Sequence, residues 1–340
     1  MATHRKASAG LWLGAVAIQI CVACGTARNP EPKSVAEVTP KLQEPAATPH
    51  GKSGACGDGQ WCVASGIPKA VTFSSIWGSS SNDIWLAGEA GTLVHWDGVQ
   101  WTQVESGTQN SLRALTGTSA TDVWAAGLEG TLLHYDGSTW SGVQRNGEPW
   151  SPTSGPNTRP IYALYAAQPQ RLWAAGSGAR YFDGTAWSEP HHGSHLPIMG
   201  LWSSGEADTW AVGFQGTITR WDGHHWERVG RDMGPNYLAV WGSARNDVWI
   251  VGSAGAALHW DGTGWSAIPS GTTNDLHAVR GFNAKDVWAV GDRGTILHWE
   301  GSAWVASPSL SERGLLALWG ASAADVWAVG ENGIVLRRQN

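Results

Sequence analysis

Between Leu112 and Val143, apolar residues come in four short bursts separated by polar or glycine-bearing breaks. Leu112–Leu115 predicts a first strand, Asp122–Ala126 a second, Thr131–Tyr135 a third and Trp140–Val143 a fourth. Thr116–Thr121, Gly127-Leu128-Glu129-Gly130 and Asp136-Gly137 supply the turns between them. In the second strand Val123 and Ala125 point one way, Trp124 and Ala126 the other, and both faces are apolar. A sheet with that pattern has to be covered on both sides.

The same phrase recurs along the chain. Its second-strand tryptophans are Trp85, Trp124, Trp173, Trp210, Trp249, Trp288 and Trp327, with spacings of 39, 49, 37, 39, 39 and 39 residues. Units of about 40 residues, each holding several short strands and no helical pattern, predict a β-propeller. The fourth-strand slot is also tryptophan in every unit: Trp61, Trp101, Trp140, Trp187, Trp226, Trp265 and Trp304. First-strand Trp77, Trp202, Trp241, Trp319 and third-strand Trp96, Trp221, Trp260, Trp299 complete the set, so only Trp12 and Trp150 lie outside the repeat. The seventh unit reaches Leu336 without a fourth strand, whereas Asp58 to Val63 repeats the fourth-strand phrase ahead of the first unit. The expectation is an all-β, seven-bladed propeller of four-stranded antiparallel blades, closed by the N-terminal strand completing the last blade.

Composition sharpens this. Charged residues are 15% of the 340, glycine numbers 45, and the net charge is −6. No basic stripe is present, which argues against nucleic acid as a partner. His4, Arg5 and Lys6 precede an apolar stretch from Ala9 to Ala23, too short for a stable span and of signal-peptide type. Val22-Ala23-Cys24-Gly25 resembles a bacterial lipobox, although Cys21 stands where such boxes prefer leucine. Residues 1–23 are read as a lipoprotein-type signal and Cys24 as the lipidated residue, with plain secretion after Ala23 as the alternative. Residues 24–55 carry five prolines and no apolar periodicity, and read as a disordered tether. Residues 56–340 are assigned to the propeller. Cys56 and Cys62 flank a turn at Asp58-Gly59, and a disulfide between them suits an exported chain better than a metal site with only two thiols.

The motifs Trp-Gly-Ser-x-x-x-Asp-Val-Trp-Ala-Val-Gly and Gly-Thr-Ile-Leu-His-Trp-Asp-Gly resemble the tryptophan-rich propeller repeats of secreted lipoproteins from myxobacteria and related bacteria. Those chains often carry a Cys-Gly-Asp-Gly-x-Trp-Cys lead-in like residues 56 to 62. The resemblance covers residues 56–340 and implies export and a propeller, with no established activity. More distantly the units resemble tectonin-type lectin propellers. They lack the boxes of sialidases and the Gly-His…Trp-Asp signature of WD40 repeats.

Candidate chemistry is sparse. His95, His134, His259 and His298 precede the third-strand aromatic, but Tyr181, Arg220 and Arg337 hold the same slot, which argues against a metal. Asp83, Asp122, Asp208, Asp247, Asp286 and Asp325 open the second strands and read as turn formers bonding nearby backbone amides. No Gly-x-Ser-x-Gly elbow, P-loop or His-Glu-x-x-His is present, so neither an enzyme nor a cofactor is expected. Breaks in the repeat are more informative. Ten extra residues within Ser141–Pro160 hold Trp150 between prolines, and the next connection carries His191, His192 and His195. With the turns at Leu128-Glu129 and Phe214-Gln215, these are expected to share one face around blades two to four. Blade three also departs from the pattern, with Arg171 for aspartate, Ala166 for glycine and a shortened turn. The expected function is non-catalytic recognition of an envelope protein or peptide by a lipid-anchored surface propeller. A carbohydrate-binding propeller is the alternative, and a propeller hydrolase or lyase the third reading.

Overall fold

The computed structural model describes residues 59–68, 70–145, 148–149, 159–169, 171–188, 196–229 and 234–339. All belong to one compact unit. Seven antiparallel sheets follow one another, called blades 1 to 7: residues 73–104, 112–142, 163–182, 198–228, 237–267, 276–306, and 315–339 joined by 60–63. Blade 5 is representative, with strands Tyr237–Ala244, Asp247–Gly252, Ala257–Trp260 and Trp265–Ala267 paired in sequence order. The first strand of each blade neighbours those of the blades before and after it, and that of blade 7 returns to blade 1, so the first strands ring the axis.

The closure is as expected. Gln60–Val63 pairs antiparallel with Val335–Gln339, with Trp61 opposite Arg338 and Val63 opposite Leu336. Gly59 N donates to Gln339 O at 2.8 Å and Ala64 N to Val335 O at 2.9 Å. The N-terminal strand thus covers an edge that would otherwise be open. Trp61 is buried at the edge of Trp288 in blade 6, 5.6 Å between centroids. Cys62 lies on the same strand opposite Arg337. Cys24, Cys56, Trp150, His191, His192 and His195 lie outside the described residues, as do the signal and tether segments.

Three local differences from expectation have physical causes. First strands run longer, as in Leu112–Ser119, because a bulge after Gly117 lets pairing continue to Asp122. The second-to-third turns are short 3₁₀ turns, and Ala90, Glu129, Gln215, Ala254, Arg293 and Asn332 hold φ of 50 to 54° at their tips. A left-handed non-glycine residue is normally a sign of strain at a site; repeated in six blades, it belongs to the architecture. Blade 3 pairs only three strands, Ala163–Gln168, Arg171–Ala175 and Ala179–Phe182. Its fourth-strand slot survives as a single bridge between Phe182 and Trp187.

The tryptophans hold the blades together. Trp85, Trp210, Trp249 and Trp327 are almost completely buried. Each meets the edge of the next blade's fourth-strand indole: Trp85 with Trp140 at 5.2 Å, Trp210 with Trp265 at 5.2 Å, Trp249 with Trp304 at 5.3 Å, Trp327 with Trp101 at 5.8 Å. Edge-to-face aromatic pairs add about 0.5–1.5 kcal/mol beyond the area they bury.

Candidate functional site

The aspartates that open the second strands take mainly side-chain partners, although Asp83 also accepts from the Ser79 backbone amide as expected. Each reaches across its own blade to the third strand. Asp83, Asp122, Asp247 and Asp286 take Nε2 of His95, His134, His259 and His298 at 2.6–2.8 Å. In blades 4 and 7 the guanidinium Nε of Arg220 and Arg337 donates to Asp208 and Asp325 at 2.6 and 2.8 Å. In blades 1, 2, 4 and 5 the second carboxylate oxygen accepts from a hydroxyl four residues upstream, Ser79, Thr118, Ser204 or Ser243; in blade 7 Asp325 Oδ2 is enclosed and meets no donor among the described residues. The imidazole then lies over the second-strand indole, as for Trp249 and His259 at 4.3 Å, and Arg337 lies over Trp327 at 4.5 Å. Burial alone would raise the Asp83, Asp122 and Asp247 carboxyls, but the hydroxyl and imidazole hydrogen bonds outweigh it and hold them below their usual range. These groups are spent on the fold. The register explains why histidine and arginine alternate in one slot: both donate to a carboxylate and both stack on an indole.

Blade 3 cannot make this arrangement. Arg171 stands at the aspartate position and Tyr181 at the histidine position, stacked 5.0 Å from Trp173. Arg171 instead pairs with Glu206 on the first-to-second turn of blade 4. Tyr165, also of blade 3, donates to Ser203 O at 2.6 Å. Between these two cross-blade ties a cleft of about 300 Å³ opens, lined by Gln168, Arg171, Trp173, Tyr181, Glu206 and Trp221. Three aromatic walls and one ion pair at the rim suit an apolar or planar group carrying a polar end. A shallower groove continues from it over the turns of blades 4 and 5, past Ser204, Asp208, Ser243 and Arg245. Ser203 and Gly205 line both.

The sequence-derived contact residues sit elsewhere. Leu128 N donates to Ser111 O, Ile161 N to Gly127 O, Phe214 N to Pro197 O and Gly216 N to Pro235 O. The second-to-third turns and the fourth-to-first connections therefore share one face. Glu129 and Gln215 are exposed there, Leu128 and Phe214 half-buried. The cleft lies at the other ends of the same second strands, on the opposite face. A broad hollow of about 860 Å³ on the turn face, past Tyr237 and Ala256 to Thr272, holds no charged side chain. Its Ser270, Thr272 and Asn274 repeat the hydrogen bonds of Ser106, Thr108 and Asn110, so it is a regular connection. Among the described residues no group of three or more His, Cys, Asp or Glu is placed to hold a metal ion.

No known protein family matches the chain, and no curated protein does. Solved structures match its fold. YCF48 bound to D1 peptide aligns over 82% of this chain and 97% of its own, at 16% identity and a TM-score of 0.66. The WD40 β-propeller domain of Doa1 aligns over 82% and 97%, at 10% identity and 0.69, and the RRP9 WD40 repeats over 83% and 98%, at 9% and 0.68. The chain is a seven-bladed propeller similar to these in architecture.

Proposed function

We propose that this chain is a non-catalytic binding propeller of the cell envelope that takes an extended peptide segment of a partner protein along the cleft between blades 3 and 4. The observation that carries the reading is that, among the described residues, blade 3 lacks the Asp–His or Asp–Arg pair of the other six, and beside it a cleft continuous with a groove opens. A propeller lectin would repeat equivalent exposed groups in most blades, whereas here six blades bury theirs in Asp–His or Asp–Arg pairs. The fold is one that, in YCF48, has been seen with a D1 peptide. The lowered Asp83, Asp122 and Asp247 carboxyls are ionised at neutral pH and already hydrogen-bonded within their blades, which disfavours a general-acid role for these three.

Export, lipidation of Cys24 and a Cys56–Cys62 disulfide belong to the same proposal. Cys24→Ala is expected to move the protein from membranes to soluble fractions while Cys21→Ala leaves it anchored. Equal membrane association of the two variants contradicts the anchor.

The binding test uses a plug. A Cβ at exposed Gly205 would meet nothing within 4 Å, and the residue lines the cleft, so Gly205→Phe fills the mouth without disturbing the core. Gly142, equally open on blade 2, gives the control Gly142→Phe. Peptides selected by display on the full chain are expected to lose about 2 kcal/mol or more of binding to Gly205→Phe and to bind Gly142→Phe unchanged. Retained binding by Gly205→Phe together with loss on Phe214→Ala moves the ligand to the turn face, with Leu128, Glu129, Phe214 and Gln215. Selection of glycans from an array, and of no peptide, establishes the carbohydrate reading instead.

A further inference from the structure

The first strands that ring the axis each place one residue opposite the second-strand tryptophan of their blade. In blades 1, 4, 5 and 7 it is Trp77, Trp202, Trp241 and Trp319; in blades 2 and 3 it is Thr116 and Tyr165; in blade 6 it is Arg280. The tryptophans each cover a glycine of the following blade. A Cβ on Gly117 would stand 2.7 Å from Trp77, on Gly242 2.6 Å from Trp202, on Gly281 2.5 Å from Trp241, and on Gly78 2.9 Å from Trp319. Glycine is required there because the indole occupies the space. Thr116 and Tyr165 tie the next blades by hydrogen bonds to Ala166 N, at 3.1 Å, and Ser203 O.

Blade 6 departs from this. Phe282, two residues beyond Arg280 on the same face of the strand, covers Gly320, whose added Cβ would stand 2.6 Å from its ring. Position 280 is thereby released from the packing role its counterparts perform, and it carries the one charge among these seven positions. The Arg280 side chain is partly exposed, but its Nε is enclosed and no acceptor among the described residues meets it. The titratable group that acts on it is the Tyr165 phenol of blade 3, three blades away around the ring of seven. Burial pulls the Arg280 pKa down and Tyr165 opposes this. The guanidinium stays charged at neutral pH.

A partly buried cation whose enclosed Nε meets no acceptor favours a ligand that brings both an acceptor and a counter-charge. A guanidinium matches a carboxylate through two parallel hydrogen bonds. One cation among aromatic walls suits a singly charged carboxylate with an apolar body better than a multiply charged phosphate. We propose that Arg280 anchors a carboxylate-binding site in the axial throat of the propeller, with the apolar body of the ligand lying against Trp241 and Tyr165. This site stands apart from the cleft between blades 3 and 4 and does not depend on it.

The test uses the full chain with ¹⁵N-labelled arginine. The Arg280 Nε–Hε resonance is assigned by its absence in Arg280→Gln, then followed during addition of 3-phenylpropionate, neutral 3-phenylpropanol, and sodium chloride at matched ionic strength. The expected result is a saturable shift with 3-phenylpropionate alone, and at least about tenfold weaker calorimetric binding to Arg280→Gln. The Arg280→Gln variant is expected to melt at or above the parent temperature, because the substitution removes a cation whose enclosed Nε has no acceptor among the described residues. A peptide with a free C-terminus that competes more strongly than its amide assigns the carboxylate to a chain terminus; equal weakness of both assigns it to a small acid. Equal response to the neutral alcohol, no saturable shift, or a marked fall in the melting temperature of Arg280→Gln overturns the proposal.

Discussion

Blades 5 and 3 are built on one phrase and use its polar positions in opposite ways. In blade 5, Asp247 takes His259 and Ser243, and His259 lies on Trp249, so both carboxylate oxygens of Asp247 are met inside the blade. In blade 3 the corresponding Arg171 and Tyr181 cannot exchange such a hydrogen bond, and Arg171 turns outward to Glu206 of the next blade. The regular blade spends its chemistry on stability. The irregular one directs it to a cleft at the blade boundary. A repeat therefore identifies candidate sites by where its internal satisfaction fails more than by which polar residues it contains.

The comparison breaks first if blade 5 tolerates loss of its central indole. Trp249→Ala removes a fully buried side chain touching His259, Trp299 and Trp304, and denaturant melts are expected to show a loss of about 3–5 kcal/mol. Next is Asp247→Asn, which strips the charge from two hydrogen bonds while keeping the shape. A loss of about 1–3 kcal/mol is expected; a value near zero would mean the pair is incidental.

A smaller effect per blade is expected in acid. The folded Asp83, Asp122 and Asp247 carboxyls lie below the ordinary value of 3.8. Their contribution is complete above that value and disappears as pH falls through the folded one. Melting temperature should thus hold near neutrality and fall below about pH 4, and Asp247→Asn should flatten that fall. An unchanged acid limb in this variant would remove Asp247 from the account.

The comparison is sharpened by making blade 3 regular. Arg171→Asp with Tyr181→His restores the pair and is expected to add about 1 kcal/mol of stability while weakening peptide binding. Smallest is Arg171→Gln, whose exposed ion pair with Glu206 is worth about 0–1 kcal/mol. Its melt should barely change.

Much of the fold was legible in the sequence because a propeller repeats its instructions. Seven tryptophans in each of two slots revealed the blades, and the displaced fourth-strand phrase at residues 58 to 63 revealed the closure. The aspartate and histidine slots were visible too, but their partnership was not, because they stand twelve positions apart across a turn whose register only the folded sheet reveals. Arg171 was visible as an exception. Its partner Glu206 was not, since it lies in another blade, and no spacing within one unit points to it. An inserted loop such as that around Trp150 is conspicuous in length, whereas the substitutions Arg171 and Tyr181 leave the length of the unit unchanged and are harder to see.

The most direct test is a hydrogen-exchange footprint of the full chain with and without a display-selected peptide. The account predicts added protection confined to residues 165–188 and 203–223, with the groove turn at 243–245 following, and no change in blades 6, 7 and 1. Protection distributed evenly over equivalent positions of all blades, or confined to the turns at 128–130 and 214–216, would contradict it.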